Sequence, residues 1–333
     1  MSKKKTILKA AAGTAAGVMG GAALIAGAVT VVAYECMFNI KLAEQIGKHF
    51  SPATIPADEE EKAEIQNNLP DNSVFNEKVS EWHSCHNATD LYLTNEKGQT
   101  RHAKYFDNGH PEKWVIVFHG YTSAPGGMFH YALPYGEMGF NCIFPSMIGH
   151  GQDENKYCSM GYHDRYMGLD WIDYILLMNP DAEIVLHGES MGAATTMLIT
   201  GEKLPKNVKA AVADCGFSNC MKEYVHVTKR QMHPALVPLL PVVSKYSELR
   251  GNFAFKKCSP EDAVKYSETP TLFVHGDADD FVPYRMLDEV YSACAAEKEK
   301  FSVKGAEHAQ SSTYDPKLYW TNVYNFLKKH VAL

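Results

Sequence analysis

Five short apolar runs recur along the chain, and most are separated by a stretch of helical length. They read WVIVF (114–118), FNCIF (140–144), EIVLH (183–187), VKAAVAD (208–214) and TLFVH (271–275). Runs this short and this continuously apolar suit strands buried on both faces. Helices are expected between and after them: up to Glu137, over 163–178, over 190–201, over 284–295 and over 317–331. KFSV (300–303) supplies a further strand before the closing helix. Strand–helix alternation of this kind predicts an α/β fold with a mostly parallel central sheet flanked by helices. Ligands on such sheets bind at the carboxyl ends of the strands. Ahead of the first run, VSEWHSC (79–85), ATDLYLT (88–94) and RHAKYF (101–106) read as strands, the last two joined by a turn at Gly98.

The alternation breaks over residues 216–257, which contain Pro234, Pro238 and Pro241 among apolar clusters. That is too long for a plain loop in a compact domain. It is expected to be a helical cap laid over the active end of the sheet.

At the end of the run 183–187 the chain reads HGESMGAAT, with Ser190 between Gly188 and Gly192. Gly-x-Ser-x-Gly alone is weak, arising by chance in about one chain of this length in ten at ordinary glycine and serine frequencies. Here a buried strand precedes it and a helix of small residues follows, the setting of a nucleophile elbow. The glycines remove side chains where strand and helix approach, and the serine hydroxyl is held out beside the helix amino terminus. Serine needs a base to take its proton, and the base needs a carboxylate to orient it. TLFVHGDADDFVP places Asp277, Asp279 and Asp280 just after a strand, and VKGAEHAQ places His308 in the loop after the next. The order serine, acid, histidine is that of the α/β-hydrolase arrangement. An oxyanion hole would use the backbone N–H of Met191, the residue after the serine, and a second N–H from the loop after WVIVF.

From about residue 80 to the carboxyl terminus the chain resembles an α/β-hydrolase. Within that fold it is most similar to bacterial esterases and the serine-aminopeptidase-like branch with a small helical cap. The stretches that carry the resemblance are HGYTSA, IGHGQD, GESMG, HGDADDFVP and GAEHA. The resemblance implies Asp279 as the acid, with Asp214 as an alternative from an earlier strand, and Tyr121 as the second oxyanion donor. Relatives usually carry Arg two positions before the histidine of IGHG; Ile148 stands there, and His150 is read as structural.

The amino terminus differs in texture. Lys3, Lys4, Lys5 and Lys9 precede a run from Ala10 to Tyr34 with no charged residue. As a helix it would extend ~37 Å, enough for a ~30 Å hydrocarbon core. The lysines predict an amino terminus on the cytoplasmic side and the remainder outside. The division expected is therefore a signal anchor or transmembrane helix at 1–34, a polar connector at 35–78, and a hydrolase domain at 79–333. Secretion after cleavage near Ala26-Gly27-Ala28 is the alternative.

The chain has 333 residues and a formal net charge of −7, with no basic block outside the extreme amino terminus, so nucleic acid is not an expected partner. Its eight cysteines show no paired zinc-ligand spacing and are expected to be mostly free, Cys215 and Cys220 being closest in sequence. His83 and His86 in WHSCH lack a partner cluster for a metal. The expected function is a serine hydrolase cleaving carboxylic esters through Ser190, His308 and Asp279. It would need no cofactor and would act on a small-molecule acyl ester or a peptide at the outer face of the membrane. A peptidase, an amidase or an acyltransferase of the same fold, or a non-catalytic membrane-tethered binding module, are the alternatives.

Overall fold

The computed structural model describes residues 27–49 and 72–333. Eight strands form one sheet: β1 (Thr89–Thr94), β2 (Thr100–Phe106), β3 (Lys113–Phe118), β4 (Asn141–Pro145), β5 (Glu183–Glu189), β6 (Val208–Asp214), β7 (Thr271–Gly276) and β8 (Lys298–Val303). Their spatial order is β1-β2-β4-β3-β5-β6-β7-β8. β1 and β2 pair antiparallel, as do β2 and β4, and every later pairing is parallel.

The apolar runs divide by period two between the faces. Trp114, Ile116 and Phe118 of β3 join Ile184 and Leu186 of β5 in one core cluster. Val115, Val117 and Val185 face the opposite cluster, which the closing helix Pro316–Leu327 covers with Tyr319, Val323 and Phe326. Helices on both faces leave such strands no polar side, which is why they read as continuous apolar runs. Register aligns the carboxyl ends: Phe118 pairs with Gly188, and Glu189 with Asp214. From β3 the chain steps to β4 on one side and later returns as β5 on the other, so a crevice opens between the loops that follow β3 and β5.

The cap comprises the helix Cys220–Gln231, a 3-10 turn Pro234–Leu239, the helix Leu240–Leu249 and a 3-10 turn Phe255–Lys257. Asn219 starts the first helix by accepting the N–H groups of Met221 and Lys222. Pro234 and Pro241 each stand in a first turn, where a missing N–H costs nothing.

One expectation is corrected. VSEWHSC is not a strand: it is the second half of a helix, Ser73–Cys85. Phe75, Val79, Trp82 and His83 are its partly buried positions, a helical spacing that a reading begun at Val79 cuts in two. A helix also runs across the expected boundary between Tyr34 and Glu35. Residues 27–38 are helical, and Thr30, Tyr34 and Phe38 point inward at four-residue steps. Tyr34 and Phe38 sit in an aromatic cluster with Tyr246, Phe253 and Phe255 of the cap. The Phe38 carbonyl accepts the N–H of Cys158, and the Glu35 carboxylate accepts the hydroxyl of Tyr157 and pairs with Lys156. Aromatic burial thus draws the end of the uncharged run into the domain. Residues 1–26, most of the expected anchor, lie outside the described residues, as does 50–71 of the connector. Among the described residues no helix is long and apolar enough to cross a membrane.

Candidate active site

Ser190 has φ 57° and ψ −117°, a backbone conformation that side chains disfavour. The close approach around it accounts for the flanking glycines. A Cβ on Gly188 would lie 2.1 Å from the Gly192 carbonyl oxygen, and one on Gly192 would lie 2.0 Å from that of Phe118. The Ser190 N–H donates to the Asp214 carbonyl at 2.8 Å, and the helix Met191–Thr200 starts immediately after. The strain is held by strand, helix and neighbouring strand together.

The Ser190 hydroxyl lies 2.8 Å from His308 Nε2, and His308 Nδ1 lies 2.7 Å from Asp279 Oδ2. This pairing assigns the histidine proton to Nδ1 and leaves Nε2 as acceptor. Asp279 is 5% exposed. Its Oδ1 accepts the N–H groups of Phe281 and Val282 at 3.0 and 2.9 Å. Its Oδ2 is shared with His275 Nε2 at 3.1 Å. Burial works against the charge of Asp279, but these partners overcome it and hold its pKa below the usual carboxylate value. Gly276 lets the two loops meet, since a Cβ there would lie 2.1 Å from the Ala306 carbonyl.

The other acids are occupied elsewhere. Asp277 accepts the Gly305 N–H. Asp280 faces solvent and pairs with Arg230 of the cap, while its carbonyl contacts His226. Asp214 Oδ1 accepts the Ser311 hydroxyl at 2.9 Å, so it serves the floor of the site and not the histidine.

Three groups escaped the sequence reading. His275, 1% exposed, braces the far side of Asp279. Glu189, beside the serine, accepts the Tyr131 hydroxyl at 3.2 Å. Burial and the charge of Asp214 push its pKa up to about 8, and burial raises that of Asp214 to about 6. Glu223, in the first turn of the cap helix, is 4% exposed, and neither carboxyl oxygen has a partner among the described residues. One helical turn before His226, it shares the face turned toward the 279–282 loop. HG before the aspartates and GES at the elbow were the visible signals for the first two; nothing marked Glu223.

In the loop after β3, Gly120 comes against the serine, with Tyr121 next in sequence. A Cβ on Gly120 would lie 3.4 Å from Ser190 Cβ and 3.9 Å from its Oγ. His119 Nε2 accepts the Met147 N–H, and His150 Nε2 accepts the Thr122 N–H, both at 3.2 Å. Burial lowers both histidines, to about 3 and about 4, so they stay neutral and shape the loop. The Tyr121 hydroxyl donates to the Met37 carbonyl at 3.0 Å, tying this loop to the amino-terminal helix. Met191 is the first residue of its helix, where the N–H has no intrahelical acceptor.

Cys215 lies beside Asp279 and His308, their potential ligand atoms within 4.8 Å of one another. The carboxylate and imidazole are already spent on each other, which leaves no set of free donors for a metal there. His83 and His86 belong to no such group among the described residues. All eight cysteines are free thiols, Cys215 and Cys220 included. A cavity of about 460 Å³ lies at the seam of cap and amino-terminal helix; none of Ser190, Asp279 or His308 lines it.

Residues 113–238 match the family described as alpha/beta hydrolase fold. The uncharacterized protein YqkD of Bacillus subtilis is 27% identical over 218 residues, covering 64% of this chain and 70% of its own. The putative esterase YitV of the same organism is 27% identical over 214 residues, covering 59% of this chain and 81% of its own. The esterase Pf2001 of Pyrococcus furiosus superposes with a TM-score of 0.60 at 22% identity, over 76% of this chain and 95% of that one. The acylaminoacyl peptidase of Pyrococcus horikoshii gives 0.54 at 17% identity, over 73% and 41%.

Proposed function

We propose that the chain, whose residues 113–238 match the alpha/beta hydrolase fold family, is a serine hydrolase that cleaves carboxylic esters. The observation that carries this reading is the unbroken relay from Ser190 Oγ through His308 to Asp279, at 2.8 and 2.7 Å. Ser190 attacks the acyl carbonyl while His308 Nε2 takes its proton. The Tyr121 and Met191 N–H groups receive the oxyanion. His308 returns the proton to the leaving alcohol, giving an acyl-enzyme on Ser190. Water, deprotonated by the same nitrogen, then releases the acid. Asp279 holds the imidazole in the required tautomer and stabilises its cation. The putative-esterase name of one relative and the esterase among the structural neighbours favour esters over amides; the peptidase neighbour supports amide cleavage as the second reading.

We also propose that the protein is held at a membrane. With Thr30 packed inward, the uncharged run left on its amino-terminal side is Ala10–Val29, about 20 residues, the length needed to cross ~30 Å as a helix.

Fluorophosphonate labelling of the full chain tests the chemistry, with matched nitrophenyl esters and anilides assayed in parallel. Labelling and ester turnover that vanish together in Ser190→Ala are expected. Labelling that persists in that variant, or a folded parent that neither labels nor turns over, would leave a non-catalytic binding module in place of the enzyme.

A further inference from the structure

The cap differs from the rest of the chain in charge and in surface. Residues 216–257 hold seven lysines and arginines against two glutamates, a net of +5, in a chain of net −7. Within it, Gln231 to Ser244 contains no Lys, Arg, Asp or Glu, yet much of this stretch faces outward. Met232 is 67% exposed. On the helix Leu240–Leu249, Val242, Lys245 and Leu249 share one face and are all exposed, while Val243 and Ser247 pack inward. A solvated helix face carries polar residues at such positions.

The amino-terminal helix lies against the same cap. Tyr34 packs edge-on against Tyr246, and Val29, Val31 and Val32 of that helix are exposed in turn. Among the described residues the cavity at this seam is lined by Lys97, Arg101, Lys156, His163 and Arg250, with no carboxylate in its wall. Among the described residues Arg101 and Lys156 are paired with Asp170 and Glu35, while Lys97 and Arg250 have no carboxylate partner.

We propose that the outer face of the cap, centred on Met232, Val242 and Leu249, is a docking surface for an anionic lipid bilayer. Apolar side chains rimmed by cations fit the boundary between acyl chains and anionic headgroups. The described chain begins at Gly27, seven residues before the Tyr34 that packs on Tyr246, and the uncharged run Ala10–Val29 is the segment proposed above for the membrane. Docking would put the cap against the bilayer, and an ester dissolved in lipid would meet the enzyme there. The proposal concerns the cap surface and does not depend on the hydrolase chemistry.

The test is amide hydrogen exchange on the full chain with vesicles of phosphatidylglycerol and phosphatidylcholine, with phosphatidylcholine vesicles, and without vesicles. Flotation of each sample reports binding separately. Amides of 231–249 are expected to slow by about tenfold or more on the anionic vesicles, above their rate on neutral ones. Val242→Glu with Leu249→Glu, both at exposed positions, should abolish that slowing while triad-dependent turnover of a soluble ester persists. Chain that floats while 231–249 exchanges alike on all samples overturns the docking face and leaves the tether standing. Protection of 231–249 without vesicles that exceeds that of the other cap helix, Cys220–Gln231, overturns it too, showing the face covered by residues 1–26 or by a second copy.

Discussion

Replacing Asp279 by Asn changes one atom, and the structure dictates which way the amide turns. Oδ1 accepts two backbone N–H groups, from Phe281 and Val282, so the amide oxygen stays there. The new NH2 must then take the place of Oδ2, 2.7 Å from His308 Nδ1 and 3.1 Å from His275 Nε2. Facing a donor, His308 moves its proton to Nε2. That nitrogen then presents N–H to Ser190 Oγ and cannot accept its proton. A base held in the wrong tautomer lowers turnover by about 10⁴-fold, or about 5.4 kcal/mol of barrier at ~1.36 kcal/mol per decade. The fold should suffer far less: a donor–donor contact with His275 costs about 1–3 kcal/mol. The assay is kcat/KM on a nitrophenyl ester, with thermal unfolding alongside to separate chemistry from stability. Asp214→Asn is the control, because Asp214 bonds Ser311 and not the histidine. Asp279→Asn retaining more than a tenth of the activity, with Asp214→Asn losing it, would refute the assignment of the acid.

Four further outcomes follow from the same geometry. Gly192→Ala should yield little folded protein by circular dichroism, since its methyl would lie 2.0 Å from a backbone oxygen that strand β3 holds fixed. Phe38→Ala removes a fully buried ring from the seam of cap and amino-terminal helix and should cost about 3–5 kcal/mol in denaturant unfolding. Glu223→Leu should raise Tm, since an unpartnered buried carboxyl is replaced by an apolar side chain; an unchanged or lower Tm would mean that bound water already satisfies it. Glu189 sets a pH dependence. Its folded pKa is raised, from 4.5 to about 8, so between those values the unfolded chain ionises while the folded one keeps its proton. Stability should therefore fall as pH rises through that window, with Asp214 adding to the fall between 3.8 and about 6, and Glu189→Gln should flatten the Tm–pH curve.

The sheet could be read in the sequence because both faces of β3, β5, β6 and β7 are covered, which forces unbroken apolar runs. The elbow was legible for a related reason: Gly188 and Gly192 stand where a Cβ would run into backbone, at the carbonyls of Gly192 and Phe118, so only glycine fits. Asp279 was harder. Asp277, Asp279 and Asp280 all follow the strand, and only the loop geometry turns one inward, one to the Gly305 N–H and one to solvent. The helix 73–85 was misread because it buries little and shows its spacing only over its full length. The packing of Tyr34 and Phe38 had no local signal, because an uncharged run looks the same whether lipid or a protein surface receives it.

That packing sets an order of events during synthesis. Tyr34 and Phe38 leave the ribosome about 200 residues ahead of their partners Tyr246, Phe253 and Phe255. At about 5–20 residues per second the early aromatics wait roughly 10–40 s for a place to go. This early segment cannot settle before the cap is made, and until it does the Tyr121 loop lacks its tie to Met37.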